Sequence, residues 1–189
     1  MSEPIRHENV VQNTLSEAWN LFAKDFVLYV LAGLLLIVVS ILSLGLLSGT
    51  MSVGFIQLVE RRRRGEAAHV TEVFDGFSQF GPSVIAAVLI AIGMAIGFFF
   101  YVLPGLLFGL VMIFTYPAIA IDDETATGAM SKSYFLVAEN FSLAALFLII
   151  VAVLSGLGGA FVLGTVVTLP FSLILTTLAY HRLCEAKSN

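Results

Sequence analysis

Three long stretches of this chain contain no charged residue. No Asp, Glu, Lys or Arg occurs in residues 26–59, 76–121 or 140–181, which are 34, 46 and 42 residues long. One transmembrane helix needs about 20 apolar residues. A core helix of a water-soluble protein would show a polar face at helical spacing, and these stretches have none. Only 12% of the chain is charged. The sequence therefore predicts an all-α integral membrane protein.

Each charge-free stretch is about as long as two membrane crossings and has a turn signal near its middle. These signals are Gly49 in the first stretch, Pro104 and Gly105 in the second, and Gly164 in the third. Glycine reaches positive φ and proline lacks an amide hydrogen, so both suit an abrupt reversal. Three hairpins predict six transmembrane helices. A re-entrant first hairpin stays an alternative, because 34 residues are few for two crossings.

Hairpins would place every charge of the chain on one side of the membrane. The nine Lys and Arg residues and the thirteen Asp and Glu residues would then share one compartment. Basic residues close to helix ends bias a segment to the cytoplasmic side. We therefore expect a multi-pass protein with both termini in the cytoplasm.

A short pattern recurs ahead of each hairpin. Nonapeptides that begin at Ala18, Val73 and Ser133 share an aromatic residue, a polar residue and an apolar residue before a long apolar run. A fixed period of this size indicates a structural repeat. The sequence predicts a single membrane domain, 1–189, made of three parallel repeats at residues 9–64, 69–122 and 127–185.

Each repeat is expected to begin with a short amphipathic helix in the headgroup plane. Apolar residues recur there at steps of three or four, and each apolar stripe contains an aromatic residue. Amphipathic aromatic side chains favour the membrane interface. The predicted anchors are Trp19, Phe74, Phe77 and Tyr134. The alternative is that these segments are cytoplasmic extensions of the transmembrane helices.

The most conspicuous polar feature is the run ERRRRGE at residues 60–66. Its arginines, Arg61, Arg62, Arg63 and Arg64, can attract anionic lipid headgroups, at about 1 kcal/mol per basic residue near the surface. The alternative is purely topogenic: the arginines hold the loop in the cytoplasm and complement the negative C-terminal end of a helix. Both interpretations place this run at the membrane surface.

The sequence shows no constellation for catalysis or for metal binding. HExxH, GxSxG and the phosphate-binding GxxxxGK are absent, and the three histidines are scattered. The acidic run Asp122, Asp123 and Glu124 lacks the six or more oxygen ligands of a calcium loop. A net charge of −4 gives no reason to expect nucleic acid. We expect no catalytic residues, no cofactor, no metal and no nucleic-acid partner.

Residues 103–141 resemble a recurrent pattern of prokaryotic membrane proteins. The matching residues are Pro104, Gly105, Pro117, Asp122, Gly128, Ala129, Ser133 and Asn140. The chain is similar here to YciC-like inner-membrane proteins and to the membrane domain attached to some glycerophosphodiester phosphodiesterases. The resemblance implies a prokaryotic cytoplasmic membrane and short helices lying flat beside a six-helix core. It implies no activity, because the phosphodiesterase chemistry resides in a separate domain.

These observations favour a non-enzymatic protein that organises membrane lipid or docks a protein partner at the cytoplasmic face, with self-association left open. The alternative is a channel or facilitator for a small apolar or zwitterionic solute, which would need a polar path along faces that carry Ser and Thr. Such hydroxyls usually bond back to their own helices.

Overall fold

The computed structural model describes residues 7–159 and 162–188, and within these ranges the chain is helical and has no strand. The elements are, in chain order, α1 (His7–Lys24), α2 (Phe26–Leu42), α3 (Ser48–Arg63), a 3-10 helix (Val70–Gln79), α4 (Phe80–Phe100), α5 (Val102–Val111), α6 (Thr115–Asp122), α7 (Ala126–Glu139), α8 (Phe141–Gly159) and α9 (Val162–Ser188). The all-α class predicted from the sequence is confirmed.

Three helical segments are long and apolar enough to cross a membrane: Val70–Phe100, Pro104–Asp122 and Gly164–Glu185. Two bent pairs of helices, α1 with α2 and α7 with α8, raise the number to five if each pair counts as one span. The sequence predicted six. The helix that accounts for the difference is α3, because it has only 16 residues and ends in charged side chains.

The first reversal of the chain precedes the glycine that the sequence marked for it. Residues 43–47 form the turn between α2 and α3, and Leu44 and Gly45 have positive φ values of 52° and 84°. Gly49 lies instead in the first turn of α3, where an added Cβ would sit 2.9 Å from the carbonyl oxygen of Ser83. Its missing side chain therefore serves close packing rather than chain reversal.

The second reversal is at Tyr101, which has an extended backbone between α4 and α5. Pro104 and Gly105 follow within the first turn of α5. Proline is tolerated there because amide hydrogens at a helix start have no intrahelical partner. The third predicted reversal falls between α8 and α9, where residues 160 and 161 lie outside the described residues, and Gly164 is inside α9. Each pair of helices that flanks a reversal packs side by side.

The segments predicted as short amphipathic helices differ from one another. α1 meets α2 at 92°, and α7 meets α8 at 108°, so neither is a straight extension of the next helix. The bends fall at Asp25 and Asn140, which are equivalent positions of the predicted repeat. The 3-10 helix instead runs into α4 without a break. The repeat boundaries stay a prediction.

α3 lies at the centre of the molecule. It contacts α2, the 3-10 helix, α4, α6 and α9, and the side chains of Met51, Phe55 and Ile56 are fully buried. A Cβ at Gly54 would lie 1.8 Å from the carbonyl oxygen of Val73. The backbones of α3 and the 3-10 helix therefore touch, which small residues permit in helix packing within membranes.

The helix α4 is largely exposed at the surface of the protein. Only 11% of the apolar window of Val70–Phe100 is buried, and Ile85, Ile92 and Ile96 are more than half exposed. On its inner face, Gly97 would direct a Cβ to within 2.7 Å of the Cα of Gly105. Glycine therefore permits close packing of α4 against α5, as it permits close packing of α3 against the 3-10 helix.

The span formed by α5 and α6 is broken at residues 112–114, ahead of Pro117. Proline cannot donate to the carbonyl four residues earlier and clashes with it, so the helix must open. Ser133 of α7 completes the break. Its hydroxyl accepts a hydrogen bond from the amide of Phe114 at 3.1 Å and donates one to the carbonyl of Val111 at 2.5 Å.

Candidate functional site

Charged side chains from distant parts of the chain meet where α3 and α9 approach their C-terminal ends. We name this region the charged end. Its members are Glu17, Asp25, Glu60, Arg61, Arg62, Arg63, Arg64, Glu72, Asp75, Asp122, Lys132, His181 and Arg182. The sequence expected the ends of the hairpins to share one side, and these contacts bring them together.

Two of the four arginines are held by acids on neighbouring elements. Arg61 forms ion pairs with Glu72 at 2.9 Å and with Asp75 at 2.8 Å, and these pairs tie α3 to the 3-10 helix. Arg62 bonds both carboxylate oxygens of Asp25, with an Nε–Oδ2 distance of 3.0 Å, and thereby ties α3 to the bend between α1 and α2.

The other two arginines lie beside the same carboxylate. Arg63 contacts Glu60 at 3.3 Å. Arg64 has a 64% exposed side chain and comes only to 4.0 Å of Glu60. The arginine run therefore serves mostly as a clamp between elements, and Arg64 is the member that keeps its guanidinium available to solvent.

Glu60 is the most deeply buried acid of this region, with a side chain that is 7% exposed. Its Oε1 receives a 2.7 Å hydrogen bond from Nε2 of His181. Burial alone would raise its pKa, but the hydrogen bond and charge of His181 and the charge of Arg63 lower the pKa below the ordinary 4.5. Glu60 therefore stays ionised. Its other oxygen, Oε2, is buried and accepts no hydrogen bond.

Asp122 closes the other side of the charged end. It accepts hydrogen bonds from Lys132 of α7 at 2.8 Å and from the hydroxyl of Tyr180 of α9. The next residue, Asp123, ends α6 in a left-handed conformation, with φ 53°, and accepts from the side-chain amide of Gln79 at 2.5 Å. The acidic run of the sequence thus links α6 to three other elements.

An open cleft of about 650 Å³ lies between α3, the 3-10 helix and α6. Glu60, Arg61, Arg64, Asp75 and Asp123 supply its charges. Its remaining lining residues are Gln57, Phe74, Ser78, Ala120 and Ile121. Both signs of charge therefore face one space, next to an aromatic ring.

The aromatic lining of the cleft continues along the protein surface. The rings of Phe74 and Phe77 are 6.3 Å apart, and those of Phe77 and Phe80 are stacked at 5.9 Å. All three side chains are between 41% and 44% exposed. We name them the aromatic row. It leads from the cleft to the exposed apolar face of α4.

The other two predicted anchors are also exposed. Trp19 on α1 is 59% exposed, and its ring meets that of Phe171 edge-on at 6.2 Å. Tyr134 on α7 is 52% exposed and packs on Phe135. Exposed aromatic side chains are typical of interfacial helices, and the role of Trp19 and Tyr134 as anchors stays a prediction.

Within the described ranges, no group of three or more His, Cys, Asp or Glu side chains is arranged to hold a metal ion. The clustered acids are instead separated by the arginines and the lysine that pair with them. The chemistry that this site offers is ionic and hydrogen-bonded recognition. The sequence found the arginines but missed Glu60 as the centre of the cluster, although its place ahead of four basic residues was a usable signal.

The family described as "Domain of unknown function (DUF7847)" matches residues 11–184 of the chain. No curated protein and no solved structure matches it.

Proposed function

The chain belongs to the DUF7847 family of unknown function, and we propose that it is a multi-pass membrane protein that organises phospholipid at the cytoplasmic face of a prokaryotic membrane. One observation carries the proposal. A cleft with charges of both signs opens at the charged end and continues, through the aromatic row, to a helix whose apolar surface is bare. A phospholipid has a matching arrangement, with a charged headgroup at one end and apolar acyl chains at the other.

The proposed topology has six membrane-inserted helices: α2, α3, α4, α5 with α6, α8 and α9. α3 is about 24 Å long at the helical rise per residue, which is shorter than the hydrocarbon core of about 30 Å. The surrounding helices shield it, so that its charged end reaches the cytoplasmic surface while its sides contact protein. The resemblance to YciC-like proteins agrees with this setting and stays a prediction.

A channel or facilitator is less well supported. The hydroxyls of Thr176 and Thr177 in α9 donate to carbonyls of their own helix, those of Ser172 and Leu173, both at 2.8 Å. Hydroxyls used in this way have no donor left for a passing solute. Docking of a protein partner at the charged end stays open as a second use of the same surface.

The test is whether phospholipid stays bound along the aromatic row. We would purify the protein in a mild detergent, extract the retained phospholipid and quantify it by mass spectrometry. The double variant Phe74→Ser, Phe77→Ser should lose most of the lipid. The matched control is Phe99→Ser, Phe100→Ser, because these rings are 87% and 73% exposed at the opposite end of α4. Wild-type protein that retains no phospholipid would contradict the proposal.

Topology is tested separately by cysteine labelling in a Cys184→Ala background. A cysteine at the exposed position of Glu66 should react only with a reagent that reaches the cytoplasm. A cysteine at Tyr101, which is 76% exposed, should react from the other side. Labelling of both positions from the same side would exclude the hairpin arrangement.

A further inference from the structure

We propose that the cleft binds a phosphoethanolamine group, with the ammonium at Glu60 and the phosphate at Arg64. This inference rests on the proposed function and names the headgroup that the same site selects. It is carried by a carboxylate oxygen without a hydrogen bond on a residue that lines the cleft, by an exposed arginine that also lines it, and by the aromatic row that leads away from it.

The carboxylate oxygen is Oε2 of Glu60. The side chain is 7% exposed and lines the cleft, yet this oxygen accepts no hydrogen bond while Oε1 bonds His181. A buried acceptor without a donor costs free energy, and more when it is charged. The group that satisfies it must carry an N–H or O–H. A primary ammonium has three such donors, whereas the trimethylammonium of choline has none.

The rest of the cleft favours a positive group of this kind. Asp123 also lines it and accepts a hydrogen bond from the uncharged side chain of Gln79 at 2.5 Å. Three acids, Glu60, Asp75 and Asp123, line the cleft against two arginines, Arg61 and Arg64, so acidic groups outnumber basic ones there. A bare metal ion does not fit, because among the described residues no three ligating side chains converge.

The phosphate is placed at Arg64 and not at Arg61, because the two arginines of the cleft differ in how closely acids pair with them. Arg61 is bonded to two carboxylates, from Glu72 and Asp75. Arg64 is more exposed, and its nearest acid oxygen, on Glu60, is 4.0 Å away. Its guanidinium therefore keeps donors for a ligand, and the planar fork of arginine matches phosphate oxygens.

The source of the group is a membrane lipid in this proposal, because the aromatic row begins in the cleft at Phe74 and ends on α4. Acyl chains attached to the phosphate can follow that row onto the apolar surface. Soluble phosphoethanolamine has the same headgroup chemistry without the chains, so it serves as a separate arm of the test.

The experiment measures headgroup selection by the full chain. Detergent-purified protein would be titrated with phosphatidylethanolamine or phosphatidylcholine of identical acyl chains, and bound lipid counted by native mass spectrometry. We expect about a tenfold preference for the ethanolamine lipid, the size that one hydrogen bond to a charged group provides. In a thermal-shift arm, soluble phosphoethanolamine should stabilise the protein and phosphocholine should not. Stabilisation by the soluble compound that equals that by the lipid would assign the site to the free headgroup.

Two variants test which residues cause the preference for the ethanolamine lipid. Glu60→Gln should abolish the preference, and Arg64→Gln should weaken ethanolamine-lipid binding with little effect on folding, because Arg64 is largely exposed. Arg182→Gln is the matched control: it pairs with Glu17 outside the cleft and should leave the preference intact. Equal binding of both lipids by folded wild-type protein would overturn the inference. If that protein still retained other phospholipids, the proposed function would survive; if it retained none, both would fail.

Discussion

α3 and α4 invert the rule that the most apolar helix of a protein is the most buried. α3 carries Thr50, Gln57 and four charged residues within its length, yet it is enclosed on nearly every side. α4 has no charged residue and faces outward along most of its length. In a water-soluble protein these positions would be exchanged.

If lipid surrounds the protein, as we propose, the difference shows which property places a helix at its centre. Lipid tails are as apolar as leucine, so apolar surface gains little by being buried, and close packing of small residues decides the contacts instead. Gly49 and Gly54 let neighbours reach the backbone of α3, and Thr50 hydrogen-bonds Ser83 of α4 at 2.8 Å. Small size and internal hydrogen bonding, rather than hydropathy, mark α3 as central.

The largest difference between α3 and α4 should come from adding one methyl group to each helix. Gly54→Ala should destabilise the protein by more than about 4 kcal/mol or prevent folding, because the Cβ would overlap backbone atoms of Val73. Gly81→Ala in α4 has nothing within 4 Å of the new Cβ and should change stability by less than about 0.5 kcal/mol. Thermal unfolding in detergent measures both. Similar losses for the two would show that α3 is not closely packed.

Removing the same side chain from each helix should also give unequal effects. Ile56 of α3 is fully buried, whereas Ile92 of α4 is 51% exposed. Ile56→Ala leaves a cavity and should cost about 3 kcal/mol. Ile92→Ala exchanges protein surface for lipid or detergent and should be nearly neutral. The ratio of the two losses in unfolding free energy is the quantity to measure, and a ratio near one would contradict the buried placement of α3.

A variant of Ser133 tests how much one buried hydroxyl contributes to stability at the break between α5 and α6. The result can be compared with the contribution of the small residues around α3. Ser133→Ala removes the partner of both the Phe114 amide and the Val111 carbonyl. We expect a loss of about 2 kcal/mol, since each buried backbone group left unpaired is costly. The matched control is Ser142→Ala, at an exposed position of α8. Equal melting temperatures would indicate that the break is closed in some other way.

The smallest expected effect is on the stability of the protein at low pH, and it arises at Glu60 in the charged end. Because the folded protein lowers the pKa of Glu60, the carboxylate stabilises the fold fully above pH 4.5, and this contribution is lost as the pH falls through the lowered value. The melting temperature should therefore drop less between pH 7 and acid in Glu60→Gln than in the wild type. Glu66→Gln, at an exposed position, should follow the wild type.

The helices were largely predictable because their pattern is local. Charge-free stretches located the paired helices, and two of the three copies of the nonapeptide coincide with bends, at Asp25 and Asn140. The second copy has no bend, because the 3-10 helix continues into α4. The break ahead of Pro117 was not predicted, although the proline is a direct signal for it. The sequence also showed that α3 would be short for a membrane crossing. For this reason a re-entrant first hairpin was kept as an alternative.

The charged end was less predictable, because its contacts join residues far apart in sequence. Arg62 and Asp25 are separated by 37 residues, and His181 and Glu60 by 121. Spacing along the chain carries no information about such pairs. The sequence placed the arginines correctly at a helix end but had no means of showing that acids already occupy most of them.

The bond between Glu60 and His181 has a consequence for synthesis. Asp25 leaves the ribosome before Arg62, and Glu72 follows Arg61 closely, but the histidine that completes Glu60 belongs to the final helix. A nascent chain that stalls before α9 therefore lacks the donor that bonds Oε1 of Glu60 in the complete fold. The carboxylate that the first hairpin contributes receives this partner only once α9 has been made.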